Sequence, residues 1–493
     1  MTELLSAKQM RESDALAINN NEEKSRELMY KAALGVYNNV KWHGKIGIVC
    51  GKGNNGGDGF ALALILKENG IASNIILALG EPKPKTTASY YFEKCQNEIT
   101  IKNDKEDLSS YDILVDAIFG TGFEGDMPTR LNELALSYNS SKAYKVSIDI
   151  NSGLNSDSGL GENILCSDLT VSIGSYKVGH FLNKASDVIK SLINVDIGIE
   201  VIGHTAMLFE KNDAKLMIKS RQSYSYKGTY GTVTIMGGCM EYTGATKLAS
   251  ISASAIRAGC GISRLAVPSS IASAVAPYLL DSTLYRLSDE NGQIKYIKEE
   301  IDFIVANSTV ILYGIGTTKG DDGIEIIRHI LKDFSGTLIL DAGGLRCLAE
   351  LNIEEINARA CALVLTPHLG EMKALYNDYS APMDVKEYAD KIKAVVLLKG
   401  NSTIVSNGNE ALISTTGCAG MAKGGSGDVL SGILAGLCAT REKEASLLKT
   451  VALGAYINGV AGEIASSELC DISMCASDTA QSVGKAIAKI KNG

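Results

Sequence analysis

The chain reads Lys45-Ile46-Gly47-Ile48-Val49-Cys50 and then, without a break, Gly51-Lys52-Gly53-Asn54-Asn55-Gly56-Gly57-Asp58-Gly59. A short apolar run, a glycine-rich loop and a helical pattern from Phe60 to Asn69 make the strand–loop–helix unit of a parallel sheet. Glycine lets backbone N–H groups crowd around an anionic ligand, and a helix start adds partial positive charge. An aspartate placed there repels phosphate, so Asp58 must serve otherwise, in proton transfer or in a hydrogen bond to a ligand hydroxyl. Far along the chain a second such segment appears, Ala422-Lys423-Gly424-Gly425-Ser426-Gly427-Asp428, with unlike flanks. Two loops in different surroundings point to two active sites on one polypeptide.

Working outward, Ala72 to Leu79, Tyr111 to Ile118 and Tyr144 to Ile150 read as further strands, separated by helical patterns. This repetition predicts an α/β fold with a parallel sheet and helices on both faces. Ligands of such sheets sit beyond the carboxyl ends of the strands. The loops Gly51–Gly59, Asp116–Gly122 and Asp149–Gly153 should therefore converge. Residues 202–230 are polar and lysine-rich, which places a domain boundary there and predicts domains 1–210 and 211–493. A fresh strand from Gly231 to Met236 opens the second unit. Val310–Tyr313, Thr337–Leu340, Ala362–Leu365 and Ala394–Leu398 continue it, and a helix is expected from Asp428 to Ala439.

At 493 residues the chain exceeds one ordinary core. Its net charge of −8, without a lysine or arginine run, argues against nucleic-acid and anionic-membrane partners. No signal-peptide pattern and no apolar run of the roughly 20 residues a spanning helix needs is visible, so a cytoplasmic location is expected. The 11 cysteines form no Cys-x-x-Cys pair or Cys/His cluster, so neither structural zinc nor disulfides are expected.

Gly51, Gly53 and Gly56 fit the G-x-G-x-x-G dinucleotide pattern, but the following strand ends without a carboxylate before Glu81. An ordinary nicotinamide dehydrogenase is disfavoured. The fuller set is more specific: Gly53 to Gly59, Asp116-Ala117-Ile118-Phe119-Gly120-Thr121-Gly122, and Ser147-Ile148-Asp149-Ile150-Asn151-Ser152-Gly153-Leu154. Together with Lys177-Val178-Gly179-His180, it resembles the YjeF N-terminal family of NAD(P)H-hydrate epimerases over roughly residues 1–205. The resemblance implies a Rossmann-like domain with a potassium ion on Asn55, Asp116 and Ser152, oxygen ligands that suit a hard cation. It implies hydrate binding along Asn54, Asn55, Gly56, Gly57 and Asp58, and along Gly120, Thr121, Gly122, Phe123, Glu124, Gly125 and Asp126. It puts Asp149 near the reacting carbon as a catalytic residue. The structural alternative for Asp58 and Asp149 is a loop cap or turn former. Asn151 stands where the family usually has proline, so a looser turn is expected there.

Residues 230–490 carry Met236-Gly237-Gly238, Thr243-Gly244-Ala245, Gly314-Ile315-Gly316, Thr366-Pro367-His368-Leu369-Gly370-Glu371, Lys399-Gly400-Asn401-Ser402-Thr403 and the second glycine segment. This ordered set resembles the carbohydrate-kinase-like, ADP- or ATP-dependent NAD(P)H-hydrate dehydratases and implies a ribokinase-like, three-layer α/β/α domain. The amides of Gly425, Ser426 and Gly427 would form an anion hole, and Asp428 beside it would accept a proton from the hydroxyl being phosphorylated. Ala245, Gly316, His368 and Asp428 would then meet the hydrate, and Lys399 to Thr403 the nucleotide. Mg²⁺ and ADP or ATP are the implied cofactor and co-substrate. Gly343 stands where the family commonly has a second aspartate, leaving Asp341 alone in that loop. No G-x-x-x-x-G-K-[ST] loop occurs anywhere.

The two resemblances imply a bifunctional repair enzyme. It would interconvert the R and S hydrates of NADH and NADPH and dehydrate the S form, and both families form homo-oligomers. Two alternatives stay open: a kinase of vitamin precursors with a ligand-binding N-terminal domain, and a non-enzymatic N-terminal module.

Overall fold

The computed structural model describes residues 1–251, 257–442 and 444–493. The chain divides into two compact units, Glu3–Ala206 and Met207–Gly493, the latter with Met1–Thr2. The break falls a few residues before the expected 210/211 division.

The first unit is built on a seven-stranded, wholly parallel sheet. Its strands are β1 (Ile46–Cys50), β2 (Ser73–Leu77), β3 (Thr100–Asn103), β4 (Ile113–Ala117), β5 (Tyr144–Ile148), β6 (Leu169–Ile173) and β7 (Leu192–Val195). They lie in the order β3-β2-β1-β4-β5-β6-β7. β1 is buried throughout, as its unbroken apolar run requires in a sheet covered on both faces. Strand order reverses between β1 and β4, where Cys50 pairs with Ala117, so a crevice opens beyond these two carboxyl ends.

The helix after β1 departs from expectation: it begins at Asn54, not Phe60, and runs to Glu68. The glycines Gly56, Gly57 and Gly59 lie inside it, and none has positive φ. A Cβ on Gly56 would stand 2.0 Å from the Gly51 carbonyl oxygen, and one on Gly59 2.8 Å from Ala117 Cβ. They are small so that the helix can press its backbone onto the strand ends.

The second unit adds β8 (Ala206–Leu208), β9 (Thr232–Met236), β10 (Ile262–Pro268), β11 (Ser282–Leu287), β12 (Val310–Tyr313), β13 (Thr337–Leu340), β14 (Ala362–Leu365), β15 (Val395–Leu398), β16 (Thr403–Ser406) and β17 (Ala411–Ser414). Their order is β8-β17-β16-β15-β14-β13-β12-β9-β10-β11. Pairing is parallel except where β16 turns back between β15 and β17. The reversal point lies between β9 and β12, and it is laced by backbone bonds from Gly238 N–H to Ile315 O (2.8 Å) and from Gly343 N–H to Gly314 O (3.1 Å). Over this sheet the apolar helix Ser426–Thr440 packs with Leu447–Leu469 and Ala476–Asn492 into one buried cluster. The helix expected from Asp428 starts two residues earlier, because Ser426 and Gly427 already form its first turn.

Candidate active sites

At the crevice of the first sheet lies a cavity of about 690 Å³. Its walls include Asn54, Asn55, Asp58, Gly120, Thr121, Gly122, Phe123, Glu124, Asp126 and Asp149, so the three loops do converge. Gly56, Gly57 and Gly125 are not among the lining residues: the first two are buried against the sheet and Met29, and Gly125 turns the loop at φ 83°.

Asp149 follows β5 in a left-handed conformation (φ 69°), which turns its carboxylate back toward the cavity. One oxygen accepts from Thr121 Oγ1 (2.6 Å) and Thr121 N–H (3.0 Å). The other meets the ammonium of Lys177 and the Ile173 N–H. Burial opposes the charge, but Lys177 and Thr121 overcome it and hold the carboxyl below its usual range. Lys177 is wholly buried and spends its remaining donors on Ser172 Oγ and the Ile173 carbonyl. His180 Nδ1 accepts from the Lys177 N–H, so its Nε2 is the protonated nitrogen and donates to the Asp149 carbonyl at 3.0 Å. Burial, then the Lys177 charge, pull this imidazole down to about 3, so it is neutral. The Lys177-to-His180 motif thus sets the position of Asp149.

Two less exposed carboxylates face the same cavity, besides Glu124 and Asp126 at its rim. Asp58 and Asp14, the latter from the helix Ala7–Ile18, accept no hydrogen bond or ion pair from any described residue. Burial, then the Asp149 charge, raise Asp58 well above the carboxylate range and Asp14 to about 6. Nothing in the sequence pattern singles out Asp14. It is a polar residue in a helix whose inward face only tertiary packing defines.

Asn55, Asp116 and Ser152 come together beneath the cavity. Asp116, fully buried on β4, accepts from Ser152 N–H (2.7 Å), Ser152 Oγ (2.5 Å), Ser147 Oγ and Ile118 N–H. Burial nevertheless pushes it up to about 6. Asn55 donates to the Phe119 carbonyl at 2.8 Å, while Ser152 Oγ accepts from the Phe119 N–H at 2.9 Å. The Asn55 Oδ1 is buried with no partner. An orphaned carbonyl oxygen beside a buried carboxylate fits a hard monovalent cation, which would satisfy the one and favour ionisation of the other. The looser turn expected at Asn151 is not what forms. Its buried amide bonds Leu165 O, Ser167 Oγ and Thr170 Oγ1, tying the turn down by hydrogen bonds instead of a proline ring.

In the second unit, the helix Ser426–Thr440 starts from Gly425 (φ 94°) with no side-chain cap among the described residues. The Ser426 N–H turns back to the Lys423 carbonyl (3.4 Å), which leaves the other N–H groups of this first turn to an anion. Asp428 stands in that turn and likewise lacks a described hydrogen-bond partner. Burial, then the Asp341 charge, raise it to about 7, with Lys399 pulling the other way. Asp341 ends β13 and Lys399 ends β15, and their ion pair spans 2.8 Å. Asp341 also accepts from Ala342 N–H and, at 2.7 Å, from Ser431 Oγ one turn along the helix. A Cβ on Gly427 would lie 3.3 Å from Lys399 Nζ, so this cation abuts the glycine segment. Gly400, Asn401, Ser402 and Thr403 form the turn from β15 into β16. Gly343 has no room for the aspartate of the family pattern, because a Cβ there would meet Thr317 Oγ1 at 2.3 Å.

Ala245 and Gly316 lie side by side at the strand reversal, 3.0 Å from a Cβ placed on Gly316. His368 caps the helix Leu369–Leu375, its Nδ1 accepting from Gly370 and Glu371 N–H. Its imidazole is exposed beside Glu371, while its backbone, just past β14, pairs with that of Lys399. Chemically, this centre pairs a set of anion-binding amides and a lysine with a carboxylate that takes protons near neutrality.

The sequence profile described as YjeF-related protein N-terminus matches residues 25–179, and that described as NAD(P)H-hydrate dehydratase matches residues 233–485. A bifunctional NAD(P)H-hydrate repair enzyme of Archaeoglobus fulgidus is 32% identical, over 94% of each chain. Its counterpart in Methanothermobacter thermautotrophicus is also 32% identical, over 86% of this chain and 83% of that one. A ribokinase-like superfamily protein of Enterococcus faecalis shares the fold of the second unit, with a TM-score of 0.50 at 21% identity, covering 60% of this chain and 99% of that one.

Proposed function

Because the chain belongs to the family of bifunctional NAD(P)H-hydrate repair enzymes, we propose that its two sites act in sequence on damaged nicotinamide cofactors. The first unit epimerises the R and S hydrates of NADH and NADPH. The second dehydrates the S form back to NADH or NADPH at the expense of ADP or ATP. The observation that carries this reading is the contrast of two acid centres, each beyond the carboxyl ends of parallel strands. One is a carboxylate cluster around Asp149 and Lys177; the other is Asp428 in the first turn of a helix with no side-chain cap among the described residues, beside the Asp341–Lys399 pair.

In the dehydratase, Asp428 takes the proton of the C6 hydroxyl as that oxygen accepts the phosphoryl group, while the amides of Gly425 to Gly427 and Lys399 stabilise its charge. Loss of the phosphorylated oxygen then restores the reduced ring. Lys399 to Thr403 meet the nucleotide; Ala245, Gly316 and His368 meet the hydrate. Both Asp341 oxygens are already engaged, so Mg²⁺ would arrive on the nucleotide phosphates. In the epimerase, Asn54 to Asp58 and Gly120 to Asp126 hold the hydrate, and Asp149 opposes positive charge at its ring. Potassium on Asn55, Asp116 and Ser152 would neutralise Asp116 and stiffen the loops that carry Asn55 and Phe119. No described helix is long and apolar enough to cross a membrane; the same reading makes the protein a cytoplasmic homo-oligomer, which light scattering tests.

The test is direct. The full chain is incubated with mixed R and S hydrate, K⁺, Mg²⁺ and ADP or ATP, and the return of reduced-nicotinamide absorbance is followed. Complete recovery is expected. A plateau after the S form alone would remove the epimerase, and no recovery with either nucleotide would remove the dehydratase.

A further inference from the structure

We propose that Asp14 is a catalytic residue of the epimerase, the base that takes a proton from the water adding to C6. The inference rests on the epimerase reading of the first cavity. Asp149 is a poor proton carrier: four donor contacts, from Lys177, Thr121 twice and Ile173, fix it as an ion. Of the other cavity carboxylates, Glu124 pairs with Arg11 and Asp126 is exposed, so the proton work falls to the two half-buried ones that no described residue engages, Asp14 and Asp58.

Asp14 is also deliberately placed. Met10, Asp14 and Ile18, one helical turn apart, all line the cavity, so an acid interrupts an otherwise apolar stripe. The helix that carries them is pinned at its start. Leu5 exchanges backbone bonds with Tyr176 and Val178, and the Ala7 N–H donates to Asp157 at 2.6 Å. On its far side, Ser13 Oγ accepts from the Ile202 N–H. A half-buried, unpaired carboxylate on a pinned helix is a cost to folding that function can explain. Asp149, Asp58 and Lys177 face Asp14, and Arg11, Lys52, Glu124 and Asp126 complete the charged lining. With its affinity for protons raised to about 6, Asp14 is ionised near neutrality yet basic enough to accept one. Asp58, raised further, is the better donor.

The step balances. The ring nitrogen lone pair forms the N1=C6 bond as the C6–O bond breaks, and its electron pair leaves with oxygen, which takes a proton from Asp58 and departs as water. The iminium cation is opposed by ionised Asp149. Water adds to the other face of C6, returns the electron pair to N1 and gives its proton to Asp14. Solvent then returns the proton from Asp14 to Asp58.

The test uses the full chain, the R hydrate and no nucleotide, so that only R-to-S conversion is read. Asp14→Asn is expected to lower kcat by about 10²-fold or more with KM little changed. It should also abolish the fall in rate as pH drops through about 6. Asp14→Glu should restore part of the rate with that limb displaced. Near-parent turnover of Asp14→Asn with the same pH profile overturns the assignment. Dehydration of the S hydrate by the same variant reports folding elsewhere in the chain. If Asp14→Asn melts early, Asp14→Glu decides: a displaced limb supports the role and an unmoved one overturns it. A parent chain that does not interconvert the hydrates refutes the epimerase reading itself, which no Asp14 variant can do.

Discussion

The two glycine-rich segments look alike in composition and do opposite things with their glycines. In the first, Gly56 and Gly59 have ordinary helical backbones and are small because a neighbouring main chain or side chain occupies the Cβ position. In the second, Gly425 is needed for its left-handed backbone at the helix start, while a Cβ on Gly424 would meet nothing within 4 Å. One segment uses glycine for close approach and the other for chain direction. The acids differ accordingly. Around the first segment the charge is shared among Asp14, Asp58 and Asp149 against a single buried lysine, whereas in the second Asp428 works beside an Asp341–Lys399 pair.

The contrast breaks first at the acids. Asp428→Asn keeps the size and capping ability of the side chain and should cost dehydration about 10²–10⁴-fold while leaving epimerisation intact. Asp428 must be ionised to accept a proton, so the parent rate should fall as pH drops below about 7. Lys399→Met, which removes the charge that lowers this affinity, should move that limb to higher pH. Nucleotide-dependent recovery of absorbance across a pH series checks both.

Next comes packing. Gly56→Ala drives a methyl group into the Gly51 carbonyl, where only backbone can yield. A loss of about 3 kcal/mol is expected, together with the epimerase, measured by urea unfolding and R-to-S conversion. Gly425→Ala should cost less, about 1–2 kcal/mol from its backbone conformation, since the nearest atom is the mobile end of Leu248. Its dehydration rate should drop more than its stability, because the free N–H groups are re-aimed. Smallest of all are Gly53→Ala and Gly424→Ala, which meet no neighbour and have no positive φ. Their stability should stay within about 0.5 kcal/mol of the parent. If Gly56→Ala were as harmless as Gly53→Ala, the distinction between approach and direction would collapse.

What could be read in advance followed from how local each signal was. Ile46–Cys50 declared itself because a strand covered on both faces is apolar at every position. Leu169–Ile173 did not, although equally buried: its inward Thr170 and Ser172 are satisfied by Asn151 and the Ser175 carbonyl, partners distant or irregular in sequence. The motifs placed Asp149 and Asp428 at strand and helix ends, but not the company that sets their chemistry. Lys399 reaches Asp341 across 58 residues, and Asp14 enters the cavity from a helix that precedes the whole sheet. The helical start at Asn54 was hidden because a run of glycines reads as a loop until the strand it must press against is known.

Lys423 has a consequence for synthesis. Its ammonium is surrounded by the carbonyls of Asp471, Ile472 and Met474, 48 to 51 residues downstream, in the turn just before the last helix. A ribosome therefore makes the glycine-rich loop long before it makes the groups that hold it still. A nascent chain stalled before residue 471 would carry every motif of the dehydratase with the loop at Gly424–Gly427 untethered. The repair of cofactors by this half of the protein would begin only as its final segment emerges.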